Sequence, residues 1–249
     1  MCSRSSAWFL AFAFVCCGAP AALASPTGTI TVNGTDITGS LDCSGGSLIA
    51  CRSGGNSYTV SGNYELGSWD FLLNSDPSIS GQFTLTNLSN STQTFQLSVT
   101  LSGLTPLSSP ISINGSLGAG TLTDSGGGGA ELKTIPPVAL YNALIDASNV
   151  QSLLDDPQDF IVPTSPTGGS GGSVPIGPAS FGPTFLAQSL NNSIEVKFEF
   201  SLTGQSDTVQ LPFAFNVVSA VPEPETYAML LAGLGLLGFM ARRRTRAAA

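Results

Sequence analysis

Alternation of apolar and polar residues is the feature that most constrains what this chain can fold into. The pattern runs from Phe95 to Leu101, from Ile194 to Leu202 and from Val209 to Val217. A period of two residues places successive side chains on opposite faces of a β-strand, so each segment predicts a strand with one buried face and one hydrated face. Shorter segments predict further strands at residues 30–32, 58–60, 69–73, 83–88 and 111–113.

Turn-forming residues separate these segments, among them Asn33-Gly34, Gly62-Asn63 and Ser75-Asp76-Pro77. About eight antiparallel strands spaced in this way predict an all-β fold, an antiparallel β-sandwich of jelly-roll type. A loop of about six residues after Leu202 predicts that the last two strands form a hairpin. Pro212 cannot donate a hydrogen bond to a sheet, so the last strand is expected at an edge or with a bulge.

Residues 137–154 have helical spacing instead. Pro136-Pro137 precedes an apolar face that repeats at helical intervals, and Asp155-Asp156-Pro157 ends it. Proline suits the first turn of a helix, so we predict one short helix here, packed across an opening of the sandwich. The glycine-rich segments 124–129 and 164–172 are predicted to be flexible loops.

The charge of residues 25–220 excludes several classes of function. Three basic residues, Arg52, Lys133 and Lys197, stand against fourteen acidic ones, which gives a net charge of −11. Nucleic acid as a partner is therefore not expected, because such binding requires clustered Lys and Arg. Histidine is absent from the sequence, which removes the commonest general base and the commonest transition-metal ligand. We predict no catalytic residues, no metal site and no cofactor.

Two cysteines lie within residues 25–220, Cys43 and Cys51, in a Ser/Gly-rich stretch. An even number of cysteines in an exported domain indicates a disulfide. A zinc site would need a second pair of soft ligands, which the sequence lacks.

The N-terminus has the order of a secretory signal peptide. Arg4 is followed by an apolar run at residues 7–17 and by Ala22-Leu23-Ala24, a small-x-small cleavage site. The apolar run is too short to span a bilayer. We therefore predict a signal peptide at residues 1–24 and an exported domain at residues 25–220.

The C-terminal segment, residues 221–249, contains a second signal. Val221, Pro222, Glu223 and Pro224 are followed by fourteen uncharged residues, 228–241, and then by a basic cluster of Arg242, Arg243, Arg244 and Arg246. A helix of that length extends roughly 21 Å, a marginal transmembrane span. The arginines are expected to stop it on the cytoplasmic side and to leave residues 25–220 outside the inner membrane.

This order of features resembles the PEP-CTERM sorting signal of Gram-negative bacteria. The resemblance implies an exosortase of the inner membrane as the processing partner, with cleavage at or near the Pro-Glu-Pro. It also implies a final location in the cell envelope or outside the cell, and an association with extracellular polysaccharide. An ordinary tail anchor is the alternative, so removal or retention of the helix is left open.

Several side chains are candidates for chemistry. Asp155, Asp156 and Asp159, with Asp146 nearby, could bind calcium, although a solvated acidic turn explains them as well. A glycosidase could draw its carboxylates from Glu65, Asp70 and Asp76. Aromatic rings that could stack on sugars are Tyr58, Tyr64 and Trp69, which could equally fill a core. The sequence favours a non-catalytic exported protein, with a carbohydrate-active enzyme or a carbohydrate-binding module as the alternative.

Overall fold

The alternating segments form strands, as predicted. A computed structural model describes residues 25–41, 43–60, 62–164, 171–220 and 229–237. Within these ranges the strands are β1 (Thr27–Val32), β2 (Thr35–Asp36), β3 (Cys43–Gly45), β4 (Leu48–Arg52), β5 (Tyr58–Val60), β6 (Tyr64–Asn74), β7 (Ser78–Asn87), β8 (Gln93–Ser102), β9 (Ile111–Leu117), β10 (Gly120–Thr123), β11 (Ala130–Lys133), β12 (Tyr141–Ile145), β13 (Ser148–Leu153), β14 (Asp159–Val162), β15 (Ser173–Ile176), β16 (Ala179–Leu186), β17 (Ile194–Leu202) and β18 (Asp207–Ser219). A 3-10 turn covers Thr38–Ser40, and a helix, α1, covers residues 229–237.

The strands form two antiparallel sheets. Sheet 1 has the order β13-β12-β17-β8-β1-β2, with β11 paired to β17 and β14 paired to β11. Sheet 2 has the order β15-β10-β18-β7-β6-β4-β3, with β9 paired to both β18 and β16, and with β5 paired to β6. The predicted all-β class is confirmed.

The core lies between the two sheets. Phe198 of sheet 1 packs against Phe83 and Phe213 of sheet 2, with ring centroids 5.1 Å apart in both pairs. Tyr141 of sheet 1 donates its hydroxyl hydrogen to the carbonyl oxygen of Ala214 in sheet 2, at 2.9 Å. Aromatic rings in edge-to-face contact stabilise such a core beyond the area they bury. These contacts make the two sheets a sandwich.

The segment predicted as a short helix, residues 137–154, is a β-hairpin, and that prediction is wrong. Tyr141 pairs with Leu153 across β12 and β13, and the other edge of β12 pairs with β17. Asp146 and Ala147 turn the chain with positive φ angles of 48° and 65°. The helical spacing gave a misleading signal, because pairing with β17, some fifty residues away in sequence, satisfies the backbone of β12 on its second edge.

The connection after Leu202 does not form a hairpin either, because β17 lies in sheet 1 and β18 in sheet 2. The side-chain amide of Asn87 organises the crossing. It donates hydrogen bonds to the backbone carbonyl oxygens of Leu202, at 2.8 Å, and Ser91, at 2.9 Å. The backbone N–H of Ser206 donates in turn to the backbone carbonyl oxygen of Asn87. The predicted hairpin is therefore wrong, and the chain crosses between sheets at this point.

Pro212 lies inside sheet 2 and not at its edge. Its strand, β18, keeps an unbroken register with β7, where Pro212 faces Gln82. On its other side β18 pairs first with β10 and then with β9, and the Pro212 carbonyl oxygen accepts a hydrogen bond from Gly118 N–H between them. Proline is tolerated because its missing N–H would point to this junction, where no ladder bond is required. The predicted edge or bulge is wrong.

Candidate functional site

The sandwich continues to the residue that precedes the predicted sorting motif. β18 ends at Ser219, and Ala220 N–H donates to the carbonyl oxygen of Pro110, at 3.1 Å. The motif residues Val221, Pro222, Glu223 and Pro224 lie outside the described residues, as do Arg242, Arg243, Arg244 and Arg246. The predicted signal peptide, residues 1–24, also lies outside them.

The predicted tail helix is present where the structure describes it. α1 covers nine residues, 229–237, of the predicted 228–241. Its large apolar side chains are all exposed: Met229, Leu230, Leu231, Leu234, Leu236 and Leu237. No helix in the described part of the chain has the length and hydrophobicity needed to cross a membrane.

The predicted disulfide between Cys43 and Cys51 is confirmed, with an S–S distance of 2.09 Å. The two cysteines are directly opposite each other on the antiparallel strands β3 and β4. Cross-strand neighbours have close Cβ atoms, and the turn at residues 46–47 brings them together. The bridge fixes the edge of sheet 2, because β3 pairs with β4 there.

The aromatic candidates for sugar stacking belong to the core. Trp69 and Tyr64 are only 4% and 6% exposed, and Tyr64 packs edge-to-face on Phe95 with centroids 5.8 Å apart. Tyr58 is half-buried and packs against the same core. Trp69 Nε1 is buried without a hydrogen-bond partner. Neither Trp69 nor Tyr64 presents a ring face to a sugar.

The acids that could serve a glycosidase are not brought together. Glu65 pairs with Thr86 and Asp70 with Gln82, so their rows are four residues apart on β7. Four residues of a strand span about 14 Å, whereas the two carboxyl groups of a glycosidase are at most about 9.5 Å apart. Asp70 forms an exposed ion pair with Arg52, Oδ1 to Nε, at 3.4 Å. The third acid, Asp76, lies in the β6–β7 turn.

The acidic residues proposed for calcium have separate structural roles. Asp156 accepts a hydrogen bond from the Thr134 hydroxyl at 2.6 Å, and Asp159 lies 3.7 Å from Lys133 Nζ. Asp146 lies in the β12–β13 turn. In the ranges that the structure describes, no three His, Cys, Asp or Glu side chains group as a metal site would need.

The carboxylate of Asp146 ties two turns together. It accepts hydrogen bonds from the N–H groups of Asn191, Asn192 and Ser193 and from the Asn191 side chain, at 2.8–3.0 Å. Burial by itself would raise the pKa of Asp146, but these four donors outweigh it and lower the pKa on balance. The group is structural, since its oxygens are already engaged.

A buried pair of carboxyl groups, Asp124 and Asp207, was missed by sequence reasoning. Asp124 is fully buried and Asp207 is 1% exposed. The Asp124 oxygens accept from Gly127 N–H at 2.7 Å and Gly129 N–H at 3.0 Å, and both glycines have positive φ angles. These bonds hold the backbone of the loop 124–129 at two points, and the predicted flexibility of the loop stays a prediction. Most of the second predicted flexible loop, residues 165–170, lies outside the described residues.

Asp207 is the less satisfied member of the pair. The Thr203 hydroxyl donates to its Oδ2, while its Oδ1 is buried without a hydrogen-bond partner. Burial raises the pKa of Asp207, the Thr203 hydrogen bond opposes this shift, and the nearby Asp124 raises the pKa further. One sequence signal could have revealed the group. The alternation of β18, extended back from Val209, places Asp207 on the inward face.

Comparison with known proteins identifies the tail. Residues 220–244 match the model of the PEP-CTERM protein-sorting motif. The match covers the tail and leaves the sandwich unmatched, and no curated protein shows significant similarity to the chain. Fold and tail together define an exported β-sandwich protein. Its sorting signal is of the PEP-CTERM type, which confirms the resemblance and indicates sorting by an exosortase.

Proposed function

We propose that this chain is a non-catalytic protein of the cell envelope or the extracellular matrix, associated with extracellular polysaccharide. The observation that carries the proposal is the PEP-CTERM motif at residues 220–244, which begins where the sandwich ends, at Ala220. The disulfide between Cys43 and Cys51 supports an oxidising location, because such bonds persist outside the cytoplasm. The sandwich is thus the exported part and the tail is its delivery signal.

Before processing, the apolar tail holds the protein in the inner membrane, with its arginines in the cytoplasm. The exposed apolar side chains of α1 support this step, because a helix that is apolar on all sides is stable when lipid or protein covers it. Exosortase then acts at or near the Pro-Glu-Pro on the outer side. In the alternative, a permanent tail anchor, the helix stays on the protein and keeps it in the membrane.

The proposal of a non-catalytic role draws support from the positions of the candidate side chains. Glu65 and Asp70 are too far apart for glycoside hydrolysis, and Asp146 is occupied by four donors. The surface hollows beside Arg52 and beside Asp146 have volumes of about 250 Å³ and 370 Å³. Ligand pockets usually enclose about 300–1,000 Å³ lined mainly by apolar groups. The hollow beside Asp146 is lined largely by polar residues, the hollow beside Arg52 by polar and apolar groups in equal measure, and both are open to solvent.

The sorting step is tested by Glu223→Ala, with Glu225→Ala as the matched control just outside the Pro-Glu-Pro. We expect Glu223→Ala to leave full-length precursor in the inner membrane, while Glu225→Ala is processed like the wild type. The intact mass of the released protein locates the cut and shows whether the helix is removed. Equal release of both variants would refute the sorting role of the motif.

The matrix association needs its own experiment. Released protein, sedimented with the extracellular polysaccharide of the producing cells, should be found with the polymer and should leave its chain length unchanged. Protein that remains wholly in the supernatant would contradict the association. Shortening of the polymer would favour the alternative, a carbohydrate-active enzyme.

A further inference from the structure

Exposed apolar side chains are concentrated at one end of the sandwich. Among its described residues, the large apolar side chains that are well exposed are Leu48 (46%), Ile161 (54%), Phe185 (69%) and Val218 (44%). Single exposed apolar residues are common and need no explanation. Three of these four, however, share the outer face of sheet 2 near the end of β18, and the fourth, Ile161, lies on β14 of sheet 1.

The strand register places Phe185 and Val218 in one row. Val218 of β18 is opposite Ser112 of β9, and Ser112 is opposite Phe185 of β16. Residues directly opposite on neighbouring strands point to the same face. Ser112 is only 7% exposed, because the two larger side chains flank it. Phe185 and Val218 therefore border one continuous surface.

Leu48 extends this surface across the sheet. It is opposite Asn74 of β6, Asn74 is opposite Ser78 of β7, and Ser78 is opposite Asn216 of β18. Asn216 precedes Val218 by two residues, so Leu48 lies about 7 Å from Val218 along the strands and about 14 Å from it across the three strand spacings between β4 and β18. We call Leu48, Phe185 and Val218 the end patch. Its polar neighbours are the uncharged residues Asn74, Ser78 and Asn216.

The end patch lies close in sequence to the segment that enters the membrane under the proposed function. Ala220 follows Val218 by two residues, and eight residues separate Ala220 from α1. Even a fully extended chain covers at most about 32 Å over that interval. While the tail is inserted, the end of β18 cannot move farther than this from the bilayer.

We propose that the end patch contacts the interfacial region of the lipid bilayer while the tail is inserted, an inference that rests on the membrane stage of the proposed function. Aromatic and aliphatic side chains among uncharged polar neighbours suit the boundary between headgroups and acyl chains. The lipid surface that fits is zwitterionic, because the end patch includes no basic residue and Asp76 lies in the adjoining turn. The contact orients the sandwich and keeps the sorting motif at the membrane surface.

The test uses residues 25–249, the chain without its predicted signal peptide, inserted into phosphatidylcholine vesicles with plain or brominated acyl chains. Brominated lipid quenches an indole that touches the acyl boundary. Phe185→Trp places a reporter in the end patch, Val218→Trp places a second one, and Ile161→Trp is the matched control at another exposed apolar position. The native residue Trp69 is present in every variant, so its contribution cancels in the comparison.

We expect the indoles at positions 185 and 218 to lose more emission in brominated lipid than the indole at position 161. Co-flotation with the vesicles and equal quenching at all three positions would overturn the contact and leave the sorting proposal intact. Quenching that is equal in both lipids but changes with protein density would overturn it in favour of contact between two copies. If the chain does not co-float with the vesicles, the membrane stage of the proposed function is refuted, and the contact with it.

Discussion

The buried carboxyl group of Asp207 allows the pH dependence of folding stability to be predicted with a definite sign. Its pKa in the folded protein is raised above the ordinary value of 3.8. The folded state therefore keeps a proton on Asp207 at pH values where the unfolded chain has lost it. This contribution to stability is fully present below pH 3.8 and is lost as pH rises through the raised pKa.

The magnitude follows from proton linkage. Between the unfolded and the folded pKa, one group contributes a slope of up to about 1.4 kcal/mol of unfolding free energy per pH unit. Above the folded pKa the slope levels off, and the folded protein carries a buried carboxylate whose Oδ1 has no hydrogen-bond partner. Leaving such a group unsatisfied costs about 1–3 kcal/mol, more if it is charged.

Asp207→Asn removes the ionisation and keeps the shape. The amide oxygen can still accept from the Thr203 hydroxyl, and the amide N–H₂ can donate toward Asp124 from the position of the unpartnered oxygen. We expect the free energy of unfolding of the variant at pH 8 to exceed that of the wild type by about 1–3 kcal/mol. As pH falls through the raised pKa the gain should shrink, because the wild-type carboxyl group then takes up a proton.

Urea unfolding of residues 25–220, followed by Trp69 fluorescence at pH 4 to 8, measures this difference. Asp76→Asn is the matched control, since Asp76 is exposed in the β6–β7 turn. The wild type and Asp76→Asn should lose stability together as pH rises. If the unfolding free energies of Asp207→Asn and the wild type ran parallel with pH, the reasoning would be refuted. Asp207 would then titrate alike in the folded and unfolded states.

Three further predictions concern single contacts. Asp146→Asn should lower the free energy of unfolding near neutral pH but not in strong acid. The reason is that the lowered pKa of Asp146 gives stability that is lost as pH falls. Unfolding measured as a function of pH tests this prediction. Tyr141→Phe should cost about 1 kcal/mol by leaving the Ala214 carbonyl oxygen without its donor, and equal urea midpoints would contradict this. Peptide mapping without reduction should recover Cys43 joined to Cys51 in the exported protein, and two free thiols would refute the bond.

The sequence was informative wherever the local pattern and the tertiary environment agreed. The alternation from Ile194 to Leu202 predicted β17 because one face of this strand is wholly buried in the core. Cys43 and Cys51 were predictable because few residues separate them. The sorting tail was predictable for a related reason, since its features follow one another along the chain.

Contacts between residues distant in the sequence explain the features that local patterns did not predict. The hairpin of β12 and β13 depends on β17, so local spacing alone pointed to a helix. The burial of Trp69 depends on which face of β6 meets sheet 1, and periodicity does not distinguish an inward ring from an outward one. Asp124 and Asp207 are 83 residues apart in the sequence, and only the meeting of β10 and β18 brings them together.

The position of β18 determines how the exported domain responds to mechanical force. This strand has thirteen residues, pairs with β7 from Asp207 to Asn216, and pairs with β9 from Phe213 to Ser219. A force applied after Ala220 along the axis of β18 acts perpendicular to the hydrogen bonds of the strand. Both ladders are then loaded in shear, and their bonds must yield together. The C-terminal end of the sandwich therefore resists extension under such a force.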